Sequence, residues 1–175
     1  MYITLDGKQK SNEILERFRL KIIQKNWVQK INLVVILIGE NADSCIYVNQ
    51  KKKACDFVGI NCIVVTLNEN IQENELRDQI IKFNSDTTVH GILIQLPIPN
   101  HIDKDILQVI DSSKDVDGFH ASNIGTLALS NDHSVVPCTP LGCLELLKTH
   151  NIQIAGKHVV IIGKSNIVGM PLSLL

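Results

Sequence analysis

The chain has 175 residues, 45% of them hydrophobic and 20% charged, with a net charge of −1. That is room for one full domain and little more. No basic excess points to nucleic acid, and no block of like charge suggests a binding tail.

Residues 7–25 have the spacing of an amphipathic helix, with Ile14, Leu15, Phe18, Ile22 and Ile23 as its expected buried stripe. Residues 33–38 are all β-branched or leucine and end at Gly39, which reads as a buried strand. Asp43 or Ser44 is the expected cap of a helix running to about Val58, with Gly59 at its stopping place. A strand over 61–67, a helix over 73–83 and a strand over 89–96 follow, the last stopped by Pro97 and Pro99. A short helix over 103–110 comes next, then a helix from Thr139 to about His150, a strand over 158–162 and a loop over 163–169. A last helix starts near Val168, with Pro171 in its first turn.

Strands alternating with helices predict an α/β fold, a parallel sheet with helices on both faces. Ligands sit at the carboxyl ends of such strands. The expected division is a catalytic domain over 1–150 and the incomplete start of a Rossmann-like nucleotide domain over 151–175. A βαβ unit needs about thirty residues, and Leu172, Leu174 and Leu175 form an apolar, uncapped end. The expectation is a chain cut inside its second domain.

No apolar run is long enough to span a bilayer, and the first residues lack the charged-then-apolar pattern of a signal peptide. A cytoplasmic protein is expected. The five cysteines are odd in number and hold no CxxC pair, and no two of the six histidines are spaced as HxxxH. Neither a disulfide framework nor a metal site is expected.

Several motifs carry candidate chemistry. Ser44, Tyr47 and Lys51 lie at i, i+3 and i+7, a spacing that groups them on one helix face. Gln95 ends the apolar run Gly91-Ile-Leu-Ile-Gln-Leu96-Pro97, where a buried amide needs a polar partner. Lys114-Asp-Val-Asp-Gly118 offers Asp117 to a ligand with paired donors, while Asp115 pairs locally. Gly163-Lys-Ser-Asn-Ile-Val-Gly169 follows an apolar strand, the usual place for a phosphate. It departs from GxGxxG, with Ser165 at the second glycine's place. Lys164 suits a 2′-phosphate. Taken singly, each has an ordinary reading: a solvated helix face, an exposed strand end, an Asp-Gly turn, a loop.

Together, and with Pro137-Cys-Thr-Pro-Leu-Gly142, these motifs resemble the bifunctional methylenetetrahydrofolate dehydrogenase/cyclohydrolase family over the whole chain. Lys164 stands where that family usually has arginine, and His90 where aspartate is common. The family's Pro-Gly-Gly-Val-Gly-Pro motif is absent. The resemblance implies oxidation of 5,10-methylenetetrahydrofolate with NADP, or NAD as the alternative, and hydrolysis of the methenyl product to 10-formyltetrahydrofolate. These are steps of one-carbon metabolism that serve purine biosynthesis.

It also implies roles. Lys51 manages protons, Gln95 orients Lys51, Tyr47 stacks on the folate ring and Asp117 accepts the pterin's N–H groups. Ser44, Leu96 and Pro97 complete the folate site. A lysine's ordinary pKa of about 10.4 is too high for a base near neutrality. A lysine in such a role therefore needs a setting that favours its neutral form. Thr139, Gly163, Lys164, Ser165, Ile167 and Gly169 would meet the cofactor, in a cleft between two domains, and a complete protein would be a homodimer. Two other readings stay open: a folate-binding module without dehydrogenase activity, and an amino-acid- or shikimate-type dehydrogenase, against which Tyr47, Gln95 and Asp117 argue.

Overall fold

The structure is a computed structural model describing residues 4–129 and 135–175. The start of the amino-terminal run read for a signal peptide lies outside them. The chain divides into two compact units, Ile14–Val116 and Met1–Glu13 with Asp117–Leu175.

The first unit is built on three parallel strands in the order β2-β1-β3: β1 (Asn32–Ile38), β2 (Asn61–Leu67) and β3 (Gly91–Ile94). Helix α1 (Gly7–Gln24) precedes the sheet, α2 (Ala42–Val58) crosses from β1 to β2, and α3 (Glu73–Ser85) from β2 to β3. Because side chains alternate along a strand, β1 serves two cores. Val34, Ile36 and Ile38 pack with Leu76 and Ile80 of α3 and with Ile106 of a 3-10 helix (Lys104–Val109). Val35 and Leu37 pack with Val48 of α2 and Leu93 of β3. This is why the central strand is continuously apolar.

Several local expectations change. Asn41, not Asp43 or Ser44, caps α2, its Oδ1 accepting from Ser44 N at 3.1 Å. Only Ile22 of the expected α1 stripe is buried; Phe18 and Ile23 are exposed. Arginines cover part of the exposed aromatic surface instead, Arg17 lying 5.8 Å from the Phe18 ring centre and Arg19 5.6 Å from that of Phe57. The third strand is shorter than 89–96, although His90 N and Gln95 N still donate to Asn32 O and Ile36 O beyond its ends. Residues 103–110 form the 3-10 helix rather than an α-helix.

The second unit holds the carboxyl-terminal part of the described chain. Its helices α4 (Ala121–Leu129), α5 (Cys138–Thr149) and α6 (Gly169–Leu174) include one, α4, that no sequence pattern foretells. Residues 158–162 form no strand among the described residues. Among the described residues no strand pairs with them, and Ile162 is 99% exposed.

Candidate active site

Helix α2 starts just past the carboxyl end of β1, and Gln95 stands just past that of β3. The parallel sheet therefore delivers Lys51 and Gln95 to one edge. Lys51 Nζ donates to Gln95 Oε1 at 2.6 Å. Gln95 is 8% exposed, and its Nε2 donates to Leu96 O at 2.8 Å. That second bond fixes which way the amide points, so its oxygen faces the ammonium. The short distance is that of a charge-assisted bond. Among the described residues Gln95 engages one of the three ammonium donors, leaving two for a ligand.

The rest of the trio separates. Tyr47 is 58% exposed, its ring open to stacking, while Ser44 is buried with its Oγ unpartnered among the described residues. Leu96 and Pro97, joined by a cis peptide bond, follow Gln95. On the inner side of α2, burial together with contact from Cys62 pushes the Cys55 thiol up to about 12. Burial also raises Cys62. Both are packing thiols rather than nucleophiles.

The Lys114-Asp-Val-Asp-Gly118 run is built, not a free turn. Asp115 is buried, and its backbone forms a parallel bridge to Ile92. Lys114 Nζ donates to Phe83 O, Asn84 O and Asp86 O at 3.1, 2.7 and 2.7 Å, a set of contacts that sequence reasoning missed. No local spacing signals it, because the partners lie about thirty residues upstream.

In the second unit, Asp117 is half-buried and Thr139 is exposed in the first turn of α5. Gly118 has φ +72°, and a Cβ there would stand 2.9 Å from Pro137 N. The Asp-Gly and Pro-Cys-Thr-Pro motifs thus meet through a contact only glycine allows. Gly163, Lys164, Ser165 and Ile167 are exposed and Gly169 is buried. Ser165 Oγ accepts from Val168 N and Gly169 N at 3.2 and 3.4 Å, and a Cβ on Gly169 would collide with the Gly163 carbonyl. This tight glycine turn, carrying an exposed lysine, fits a phosphate-bearing cofactor in its donor chemistry.

Residues 5–117 match the family model described as tetrahydrofolate dehydrogenase/cyclohydrolase, catalytic domain. The chain belongs to this family. Residues 137–175 match the family's NAD(P)-binding domain. The bifunctional enzyme FolD from Campylobacter jejuni, a solved structure, superposes with a TM-score of 0.91 at 49% identity, over 97% of this chain and 61% of that one. The Trypanosoma brucei FolD structure, complexed with NADP cofactor and inhibitor, has a TM-score of 0.91 at 31% identity, over 98% of this chain and 60% of that one. The chloroplastic bifunctional protein FolD 4 of Arabidopsis thaliana is 48% identical over 99% of this chain and 49% of its own length. This family member thus spans about half to three fifths of the length of the relatives it matches. No helix among its described residues is long and apolar enough to cross a membrane.

Proposed function

We propose that this chain carries the folate chemistry of a bifunctional dehydrogenase/cyclohydrolase: oxidation of 5,10-methylenetetrahydrofolate with a nicotinamide cofactor, then hydrolysis of 5,10-methenyltetrahydrofolate to 10-formyltetrahydrofolate. The observation that carries this reading is the 2.6 Å bond from Lys51 to the buried Gln95. In the hydrolysis, water oxygen bonds to the one-carbon bridge of the cationic methenyl compound, the bond from that carbon to N5 breaks, and of the two protons water gives up one goes to N5 and the other to solvent. Lys51 moves these protons, and Gln95 holds the lysine where it is needed. Tyr47 stacks on the folate ring, with Ser44, Leu96 and Pro97 shaping the site around it. Asp117 accepts the paired N–H groups of the pterin edge.

The nicotinamide supplies the two-electron oxidation when bound. Gly163, Lys164, Ser165, Ile167, Gly169 and Thr139 would hold it, with NADP preferred to NAD because Lys164 suits an extra phosphate. Positioning of the two reactants is then the protein's main contribution. A cytoplasmic location, and a homodimer for the complete protein, accompany this reading.

The test is conversion of 5,10-methenyltetrahydrofolate by wild type and Lys51→Met. Loss of turnover in a variant with an unchanged circular dichroism spectrum is expected, and near-normal turnover would sink the assignment of Lys51. A second reading, a folate-binding module without oxidation, is favoured by residues 158–162, which form no strand among the described residues, and by the exposed Lys164. Calorimetric titration decides between them: binding of tetrahydrofolate without NADP supports the module, and binding of both supports the dehydrogenase.

A further inference from the structure

Lys114 is half-buried and spends all three of its ammonium donors on main-chain carbonyls, those of Phe83, Asn84 and Asp86 at the end of α3. The last carbonyls of a helix have no partner within it and carry its negative dipole end, so an ammonium there meets both needs. The main chain of the same residue is fixed elsewhere: Ile92 N in β3 donates to Lys114 O at 2.8 Å. Residue 114 is therefore tied to α3 by its side chain and to the sheet by its backbone.

Asn84 adds a second clamp, its Nδ2 donating to Val109 O at 2.7 Å and its Oδ1 accepting from Asp111 N at 2.9 Å. Asp115 then bridges to Ile92. Residues 109–115 form a rail held to a helix end and a strand, and the chain leaves that rail two residues before Asp117.

We infer that Lys114 is a positioning residue for folate binding, holding the rail from which Asp117 is presented to the pterin edge. The inference rests on the proposed folate site. A carboxylate that accepts two parallel N–H groups must be held to within about 0.5 Å, and a loosened rail forfeits that alignment while leaving the carboxylate in place. Arginine can neutralise the helix end but cannot converge its planar fork on three carbonyls, so Lys114→Arg restores binding only in part.

The test is calorimetric titration of tetrahydrofolate into wild type, Lys114→Met, Lys114→Arg, Asp117→Asn and the double variant Lys114→Met/Asp117→Asn, with thermal melts alongside. Lys114→Met is expected to bind roughly tenfold more weakly, the scale of losing a bond to a charged group. In the Asp117→Asn background the same change should cost less than about twofold, since coupled residues are non-additive. Equal losses in both backgrounds, or an unchanged affinity in Lys114→Met, overturn the inference and leave the folate reading intact. If wild type itself does not bind tetrahydrofolate, the folate reading fails first and takes the inference with it. Should Lys114→Met not fold, Asn84→Ala enters the same cycle. Coupling of Asn84→Ala to Asp117→Asn supports the rail, and additivity overturns it.

Discussion

Two runs of the chain have nearly the same composition and opposite surroundings. Leu-Val-Val-Ile-Leu-Ile over 33–38 and His-Val-Val-Ile-Ile over 158–162 are both rich in β-branched residues, and both end at a glycine, Gly39 and Gly163. The first is the middle strand of a parallel sheet, with Val34, Val35 and Ile36 fully buried. In the second, Val159 is 59%, Val160 71% and Ile162 99% exposed. An apolar β-branched run becomes a strand only when neighbouring backbone takes up its N–H and C=O groups and a helix covers its face. The same contrast divides the functional residues. Gln95 and Lys51 are held by bonds that settle their direction, whereas Lys164 stands in solvent on a turn.

The sharpest way to break this comparison is to remove equivalent methyl groups from each region. Ile80→Ala, at a site with no exposure and packed against β1, should destabilise the protein by about 3–4 kcal/mol through lost burial and a residual cavity. Ile162→Ala, almost wholly exposed, should fall within about 0.5 kcal/mol of wild type. Urea unfolding monitored by far-ultraviolet circular dichroism measures both. A loss at Ile162 comparable to that at Ile80 would mean that residues 158–162 are packed in solution and that the contrast is false.

The difference between the two runs also explains what could be read in advance. The strand Asn61–Leu67 and the stop at Gly59, whose φ is +88°, were legible because periodicity and the glycine requirement are local. The strand expected over 158–162 does not form, because pairing is not local. Helix α4 went unforeseen: nine residues containing Gly125, Ile124 and Thr126 have low helix propensity, and no motif marked them. In the candidate site, Lys51 and Gln95 could be named from type and position, but the bond between them spans 44 residues of sequence. The Lys114 clamp was hidden for the same reason, with partners from a helix end far upstream.

A smaller effect sharpens the comparison at helix ends. Helix α2 has a side-chain cap, Asn41 Oδ1 accepting from Ser44 N, while the residue at the N-cap of α6, Val168, supplies none. Asn41→Ala should therefore cost about 1 kcal/mol, and Val168→Ala should show no capping loss. The same urea transitions measure this. A neutral Asn41→Ala would mean that packing around Ser44 alone determines where α2 starts.

The smallest effect concerns a surface carboxylate tied into the first region. Asp86 Oδ1 accepts from Thr88 N at 2.8 Å and Thr88 Oγ at 2.7 Å, and these bonds hold its pKa below the ordinary 3.8. A carboxyl with a depressed folded pKa contributes stability above its unfolded value, and that contribution disappears as pH falls through the folded one. Wild type should therefore lose melting temperature between about pH 5 and pH 2 more steeply than Asp86→Asn, the gap closing at the acid end. The group is exposed, so salt weakens the contribution of nearby charges but leaves the two Thr88 bonds. Melting curves at low and high salt separate these parts. A pH dependence that vanishes in salt would assign the shift to Lys114 and Lys82 rather than to Thr88, making nearby charge and not hydrogen bonding the larger cause.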